Sequence, residues 1–310
     1  MKSQPHLAAG WNTSRIPDQT GKRFLITGAN SGLGFETAKV LVEKGAHVTI
    51  TARSEVKGVS TMLSTGAQEF IELDLADLSS VRKAAATISE PFNVVFLNAG
   101  LMVPPFGKTV DGFELQLGTN HLGHFAFAGL IESYVTERWV VTSSFAHRLG
   151  NFGDQTKESI RNRCLGVGKY SPWGSYGDSK LANLLMVNEL ERRRVARGYG
   201  AIPIAAHPGW SHTNLMKATA TTSLVSRLSE AVAGKLAQTS AEGALPLLCA
   251  ATLEGINHTA LLGPADFLEL KGAPKFTHGK ALAYDQQLAT NLWQVSEELT
   301  GVAWENSPHA

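Results

Sequence analysis

The chain has 310 residues, 43% of them hydrophobic, and its 28 basic and 27 acidic residues nearly cancel. This composition excludes a disordered chain, and the balanced charge argues against a nucleic-acid or acidic-membrane partner. The only cysteines, Cys164 and Cys249, lack the spacing of a disulfide framework or a zinc site, so we expect a reducing compartment and no metal. The polar N-terminus, and the absence of an apolar run of about 20 residues, predict a cytoplasmic protein without a membrane span.

Short β-rich runs alternate with helix-spaced segments along most of the chain. This alternation predicts one doubly wound α/β domain, an open parallel sheet with helices on both faces, over residues 1–310. We predict seven strands, at residues 22–27, 47–51, 68–73, 93–97, 139–142, 201–206 and 259–262. Helices are predicted at residues 35–46, 78–89, 113–135 and 173–197.

A glycine-rich turn, Gly28 to Gly34, separates the first predicted strand from the first helix. Glycines there permit a tight turn and let a pyrophosphate approach the helix N-terminus, where free N–H groups favour negative charge. The spacing is GxxxGxG and not the GxGxxG fingerprint. The position of the turn in a βαβ unit is therefore what predicts a dinucleotide site, mainly within residues 21–150.

The second predicted strand ends in Thr51-Ala52-Arg53, without a carboxylate. An NAD site usually places an acid here for the ribose 2′-hydroxyl, and that acid would repel a 2′-phosphate. A guanidinium instead offers the phosphate paired, charge-assisted hydrogen bonds. Arg53 therefore favours NADP over NAD, with a solvated surface arginine as the alternative.

Tyr176 and Lys180 lie one turn apart on the last long predicted helix, so their side chains share a face. A nearby ammonium favours the phenolate and brings the tyrosine closer to a working general acid/base. The alternative is a helix-start aromatic beside a solvated lysine. Asp178, two residues from Tyr176, is predicted to point off this face and to be exposed.

These features together resemble the short-chain dehydrogenase/reductase family from about residue 21 to residue 301. The similar stretches are TGANSGLG, NAG, NHLGHF, VTSS, YGDSK and HPG. The most similar members are retinol-dehydrogenase-like and protochlorophyllide-reductase-like. The resemblance implies a Rossmann-type fold and a catalytic tetrad of Asn120, Ser144, Tyr176 and Lys180. Together with Arg53, it implies cofactor contacts at Gly28, Asn30, Ser31, Gly32, Leu33, Gly34, Arg53, Asp74, Leu75, Asn98, Ala99, Gly100, Tyr176, Lys180, Pro208, Gly209 and Thr213.

Two segments are predicted to shape the substrate side. Residues 151–170 form an insertion relative to compact members of the family, and residues 211–238 follow a strand end as a candidate helical lid. Apolar residues near the site favour a fairly lipophilic substrate; they are Leu101, Met102, Val103, Phe106, Phe145, Trp210, Leu215 and Met216.

The resemblance implies an NADP(H)-dependent oxidoreductase (EC 1.1.1.-) that interconverts an alcohol and a ketone or aldehyde, with Tyr176 as general acid/base. Ser144 would hold the substrate oxygen, Lys180 the nicotinamide ribose, and Asn120 a water that connects Lys180 to solvent. A C=C reductase using the same site and a non-catalytic NADP sensor stay open. Relatives pair through the helices at residues 113–135 and 173–197, so a homodimer, a homotetramer and a monomer all stay open.

Overall fold

One sheet of eight strands runs through the computed structural model, which describes residues 4–198, 200–210, 238–266 and 268–304. The strands are β1 (Arg23–Ile26), β2 (His47–Ala52), β3 (Glu69–Glu72), β4 (Phe92–Leu97), β5 (Val135–Thr142), β6 (Ile202–Ala206), β7 (Leu261–Asp266) and β8 (Lys271–Thr277). They are ordered β3-β2-β1-β4-β5-β6-β7-β8; β1 to β7 pair in parallel and β8 pairs antiparallel with β7. The predicted parallel sheet is confirmed, and the predicted number of seven strands is one too few.

The sequence pattern misses β8 because Gly272 and Pro274 belong to residue types that are depleted in strands. Pro274 is tolerated because β8 lies at the edge of the sheet. The turn into β8 also supports the loop after β6, since Trp210 N donates to Leu270 O at 2.8 Å.

Helices flank the sheet. They are α1 (Gly32–Glu43), α2 (Glu55–Thr65), α3 (Leu78–Ala86), α4 (Leu115–Leu117), α5 (Gly123–Leu130), α6 (Lys157–Leu165), α7 (Pro172–Arg197), α8 (Ser240–Thr252) and α9 (Gln286–Thr300). Within the described ranges, no helix is both long and apolar enough to cross a bilayer.

Alternate residues of the strands enter two separate cores, as the period of a strand requires. In β4, Val95 and Leu97 join one core, together with residues of α5, α7 and α9. Val94 and Phe96 point to the other face and join residues of α1 and α8. The sheet is therefore covered on both faces, as predicted.

The prediction of one long helix at residues 113–135 is wrong. The structure has the short α4, a π-helical stretch at Gly118–Leu122, and then α5, which ends at Leu130. Strand β5 already begins at Val135, earlier than predicted. The segment is apolar on all sides, and such a pattern does not distinguish a buried helix from a buried strand.

Helix α7 passes through the interior. Ser171 caps its N-terminus by accepting a hydrogen bond from Gly174 N, and Pro172 occupies its first turn. Every residue from 175 to 187 is buried, with α9 packed along the helix. The middle of α7 therefore presents no exposed face to a second copy in this structure.

The prediction that Asp178 is exposed is wrong, because the residue is only 2% exposed. Its Oδ1 accepts hydrogen bonds from Asn151 N at 2.8 Å and Phe152 N at 3.3 Å, and Arg163 Nε lies 3.7 Å from Oδ2. The predicted insertion, which contains α6, folds back over this face of α7. Asp178 thus anchors the insertion to the helix that carries Tyr176.

We expect Asp178→Ala to lower the free energy of unfolding by about 3 kcal/mol, because it leaves buried N–H groups and Arg163 without their acceptor. Asp178→Asn keeps one carbonyl acceptor and should recover most of that loss. Urea unfolding of the three proteins measures both effects. Equal stability of the Ala variant and the parent would contradict the anchoring role.

Burial lowers the pKa values of three histidines, to about 4 for His121, about 3 for His124 and about 4 for His147. His121 Nε2 lies 2.9 Å from Ser296 Oγ. The hydroxyl of Ser296 also donates to Leu292 O, so His121 Nε2 is the donor in its bond. These rings are neutral in the folded protein near pH 7.

Histidines in an unfolded chain take up protons near pH 6.5, whereas these rings do so only near pH 3 to 4. The unfolded state therefore binds more protons as the pH falls, and stability is lost below about pH 6.5. We expect the free energy of unfolding to fall by about 1.4 kcal/mol per pH unit for each histidine between pH 6 and 5. His121→Gln removes one titrating ring, so unfolding should take up about one proton fewer and the slope of unfolding free energy against pH should be smaller. Ser296→Ala keeps the ring and should therefore keep the slope of the parent. Parallel slopes for parent and His121→Gln would contradict this account.

Candidate active site

A cavity of about 770 Å³ opens along the carboxyl ends of the parallel strands. Its wall is formed by the turns that follow β1, β2, β3, β4, β5 and β6. The strand order reverses direction between β1 and β4, and ligands bind at such a switch point in doubly wound sheets. The site residues predicted from sequence can therefore be placed relative to a single cavity.

The glycine turn forms one end of the cavity. Gly28 has φ +69°, and a Cβ there would lie 2.7 Å from Ala99 Cα, so only glycine fits between the turns after β1 and β4. Ser31 begins α1 without a side-chain cap bond, which leaves the first N–H groups of the helix open. Asn30, Ser31, Gly32 and Leu33 line the cavity.

Gly34 does not line the cavity but packs beneath the turn. A Cβ at Gly34 would lie 2.5 Å from Gly28 O and 2.6 Å from Asn98 Nδ2. Gly34 therefore allows α1 to approach the turn closely, and the cofactor contact expected at this residue stays a prediction.

The turn after β4 is tied to the turn after β1 through Thr27. Thr27 Oγ1 accepts hydrogen bonds from Asn98 N at 2.8 Å and Ala99 N at 3.0 Å. Asn98 Nδ2 in turn donates to Thr27 O at 2.9 Å. Asn98, Ala99 and Gly100, which are predicted to contact a cofactor, all line the cavity.

His124 extends this connection to the helix of Asn120. Its Nδ1 lies 3.1 Å from Asn120 O, which only accepts, so Nδ1 carries the proton. Nε2 is then an acceptor that lies 2.9 Å from Thr27 Oγ1, and the single proton of that hydroxyl is shared between Nε2 and Phe96 O, which lies 3.1 Å away. His124 thus joins the glycine turn to the predicted tetrad.

Arg53, at the predicted adenine end, is exposed and lines the cavity with Asp74 and Leu75. Among the described residues, Arg53 has no ion-pair or hydrogen-bond partner. Immediately after it, Ser54 begins α2 without a side-chain cap bond. By contrast, α3, α6, α7, α8 and α9 each begin with a side-chain cap. The helices that start at the two predicted phosphate positions therefore have open N-termini.

Three of the four side chains of the predicted catalytic tetrad lie in another part of the cavity. Ser144, Tyr176 and Lys180 all line it. Lys180 Nζ lies 5.7 Å from the centre of the Tyr176 ring and donates to Thr142 O at 3.3 Å. Tyr176 and Lys180 are 7% and 4% exposed. The helical spacing thus places both side chains on one wall, as predicted.

Burial dominates the proton affinities of this pair. It raises the pKa of Tyr176 to about 12, against the opposing effect of a hydrogen bond with Ser144. It also lowers the pKa of Lys180 to about 8. We expected the ammonium to favour the phenolate, but in this structure burial outweighs that effect and favours the protonated phenol.

Asn120 does not line the cavity but lies fully buried behind its wall. Its Oδ1 accepts from Leu101 N at 2.9 Å, and its Nδ2 donates to Leu101 O at 2.9 Å and Ser179 Oγ at 3.0 Å. A Cβ at Gly100 would lie 2.9 Å from Asn120 Oδ1 and 3.7 Å from Lys180 Nζ. Asn120 therefore lies near Lys180 and holds the loop after β4.

On the substrate side, five of the apolar residues named from sequence line the cavity, and they are Leu101, Met102, Val103, Phe145 and Trp210. Phe106 does not. The sequence reading missed Leu115, Arg148, Leu149 and Trp173. Trp173 could have been found, because it lies three residues before Tyr176 on the same helix face; their ring centres are 6.3 Å apart.

Pro208 and Gly209, after β6, are predicted to contact a cofactor, and both line the cavity. Thr213, Leu215, Met216 and the predicted lid up to residue 237 lie outside the described residues. Gln238, the last lid residue, is described and donates from its backbone N to Trp210 O at 2.9 Å. In the part of the chain that is described, no group of three or more His, Cys, Asp or Glu could hold a metal ion.

Several known proteins are similar to this chain in sequence. The family model described as short chain dehydrogenase matches residues 22–136. Human retinol dehydrogenase 12 is 34% identical, over 92% of this chain and 88% of that protein. A polyprenol dehydrogenase from Danio rerio is 33% identical, over 93% of this chain and 89% of that protein.

Solved structures are also similar to this chain. An uncharacterised protein from Mycobacterium paratuberculosis has a TM-score of 0.81 at 37% identity, and the match covers 96% of this chain and 99% of that chain. A short chain dehydrogenase from Burkholderia cenocepacia in complex with NADP has a TM-score of 0.58 at 22% identity, covers 79% of this chain and 96% of that chain, and shows the fold alone. Since relatives more than 30% identical match almost its whole length, this chain belongs to the short-chain dehydrogenase/reductase family and is similar to its retinol dehydrogenases.

Proposed function

We propose that this oxidoreductase uses NADP(H) to interconvert a lipophilic alcohol and its aldehyde or ketone, with Tyr176 as general acid/base. The observation that carries the proposal is that Ser144, Tyr176 and Lys180 share one cavity with the glycine turn. That arrangement lets one bound cofactor extend from the turn to the tyrosine.

The residues present fit an NADP cofactor. The pyrophosphate fits the open N-terminus of α1, which the glycine turn leaves accessible. A 2′-phosphate fits the Arg53 guanidinium and the open N-terminus of α2, both without another partner among the described groups. A carboxylate for a ribose 2′-hydroxyl is missing at the end of β2. These features favour NADP over NAD.

The nicotinamide, when bound, supplies or removes the hydride. In the direction of reduction, Tyr176 would donate its phenolic proton to the carbonyl oxygen of the substrate. Ser144 donates a hydrogen bond to the same oxygen and holds it at the tyrosine. Lys180, as an ammonium, stabilises the tyrosinate that remains. The high pKa of Tyr176 keeps its proton available for this step.

The cavity also favours a lipophilic substrate. Its catalytic end is lined by Leu101, Met102, Val103, Trp173 and Trp210. The relatives named for retinol and for polyprenol carry the names of lipophilic primary alcohols. We therefore propose an alcohol of that kind, or its aldehyde, as the substrate class.

The cofactor preference rests on Arg53. We expect Arg53→Asp to weaken NADPH binding about 10- to 100-fold, because a charge-assisted phosphate contact is replaced by repulsion, and to leave NADH binding within about threefold. Quenching of tryptophan fluorescence measures both affinities, and Trp173 and Trp210 report from the cavity.

Arg15→Asp is the matched control, because Arg15 is also exposed and does not line the cavity. If NADH binds the parent as tightly as NADPH, the assignment of NADP is wrong. If neither binds, the whole enzymatic proposal fails.

The acid/base role rests on Tyr176. We expect Tyr176→Phe to lower kcat about 10²- to 10⁴-fold, because the substitution removes the hydroxyl that donates or accepts the proton. NADPH affinity should stay within about threefold, since the aromatic ring is kept. Decanal with NADPH and retinol with NADP⁺ are suitable probes. Tyr284→Phe, a change at an exposed tyrosine outside the cavity, serves as the control. Normal turnover by a folded Tyr176→Phe protein would contradict the role, and NADPH binding by a parent inactive on every alcohol and aldehyde tested would favour a nucleotide sensor.

A further inference from the structure

The wall of the cavity beside the catalytic residues contains a strained backbone. Val103 lines the cavity with φ +55°, in the left-handed region. That conformation is an outlier for a β-branched side chain, because Cβ crowds the following carbonyl. Strain of this kind persists only where surrounding contacts hold it, and it is concentrated at binding sites.

Gln116 supplies the contacts that hold Val103. Its side chain is fully buried, and Oε1 accepts the hydrogen bond of Val103 N at 2.8 Å. Its Nε2 donates to Tyr170 OH at 3.0 Å and to Pro172 O at 2.9 Å. Both N–H groups and the oxygen of the amide are thus satisfied, which fixes its orientation.

The neighbouring contacts extend this support along the whole loop. Tyr170 OH, which accepts from Gln116, donates to Pro104 O at 2.8 Å. Asn120, four residues after Gln116, bonds both the N–H and the carbonyl of Leu101. Residues 101 to 104 are therefore held from behind by Gln116, Asn120 and Tyr170.

We propose that Gln116 is a positioning residue that, with Tyr170, sets the shape of the substrate wall at residues 101–104 and hence which substrates fit. It links this wall to Pro172, one turn before Tyr176 on α7, and to the end of the insertion at Tyr170. The wall is thus held at a fixed position relative to Tyr176. The inference rests on the proposed function, because it assigns this wall to the substrate.

The test replaces the amide by an apolar group of similar size, Gln116→Leu. The variant leaves Val103 N–H without an acceptor, so we expect the amide of Val103 to exchange hydrogen at least about tenfold faster by mass spectrometry. We expect KM for decanal, and the Kd for retinol read from its own fluorescence, to rise about tenfold. kcat and NADPH affinity should stay within about threefold.

Three further variants complete the test. Gln287→Leu is the matched control at an exposed glutamine on α9. Tyr170→Phe should raise KM in the same direction. Val103→Gly removes the Cβ that makes the left-handed backbone unfavourable, so adding it to Gln116→Leu should reduce the rise in KM to less than about threefold over Val103→Gly alone.

Unchanged exchange at Val103 and unchanged retinol affinity in Gln116→Leu would overturn the inference. So would a parallel loss of kcat, NADPH affinity and thermal stability, which indicates a general structural role, or fully additive effects in the double variant. A failure of the proposed function appears differently, as absent turnover by the parent protein. Exchange and retinol binding then still decide the role of Gln116.

Discussion

The hydroxyl of Thr27 connects the two halves of the candidate site. It accepts from the backbone of Asn98 and Ala99 and shares its proton between Phe96 O and His124 Nε2, and His124 Nδ1 donates to Asn120 O. The arrangement requires a neutral imidazole, and burial supplies it by lowering the histidine pKa. The glycine turn, the turn after β4 and the helix of Asn120 are therefore connected by hydrogen bonds.

Helix α7 has the corresponding role on the other wall. It passes through the interior with its middle fully buried, so Tyr176 and Lys180 project from a rigid support. Asp178 holds the insertion against the same turn of helix, and Gln116 bonds Pro172 one turn earlier. Groups that donate or orient a proton need such support, since small displacements of reacting atoms slow a reaction strongly.

The features that the sequence predicts correctly are those that depend only on residues close together in the chain. Gly28 is where a tight turn needs glycine, and Tyr176 and Lys180 share a face because of the helical period. The features that it misses depend on contacts distant in sequence. Asp178 is buried because another segment covers it, β8 contains residues that only an edge strand tolerates, and the pKa of Tyr176 follows from burial more than from its neighbour. Gln116 belongs to none of the recognised motifs, so only its three partners reveal it.

The open N-termini of α1 and α2 have a thermodynamic consequence. Each leaves N–H groups that a capping side chain satisfies in the other helices that start from a loop. An anionic ligand that binds there completes hydrogen bonds that the chain itself does not make. Such a ligand binds only the folded state, so folding and occupancy are linked by mass action, and about 2.7 kcal/mol of stability is gained at a hundredfold excess over Kd. The lifetime of the protein in a cell would then follow the supply of that ligand.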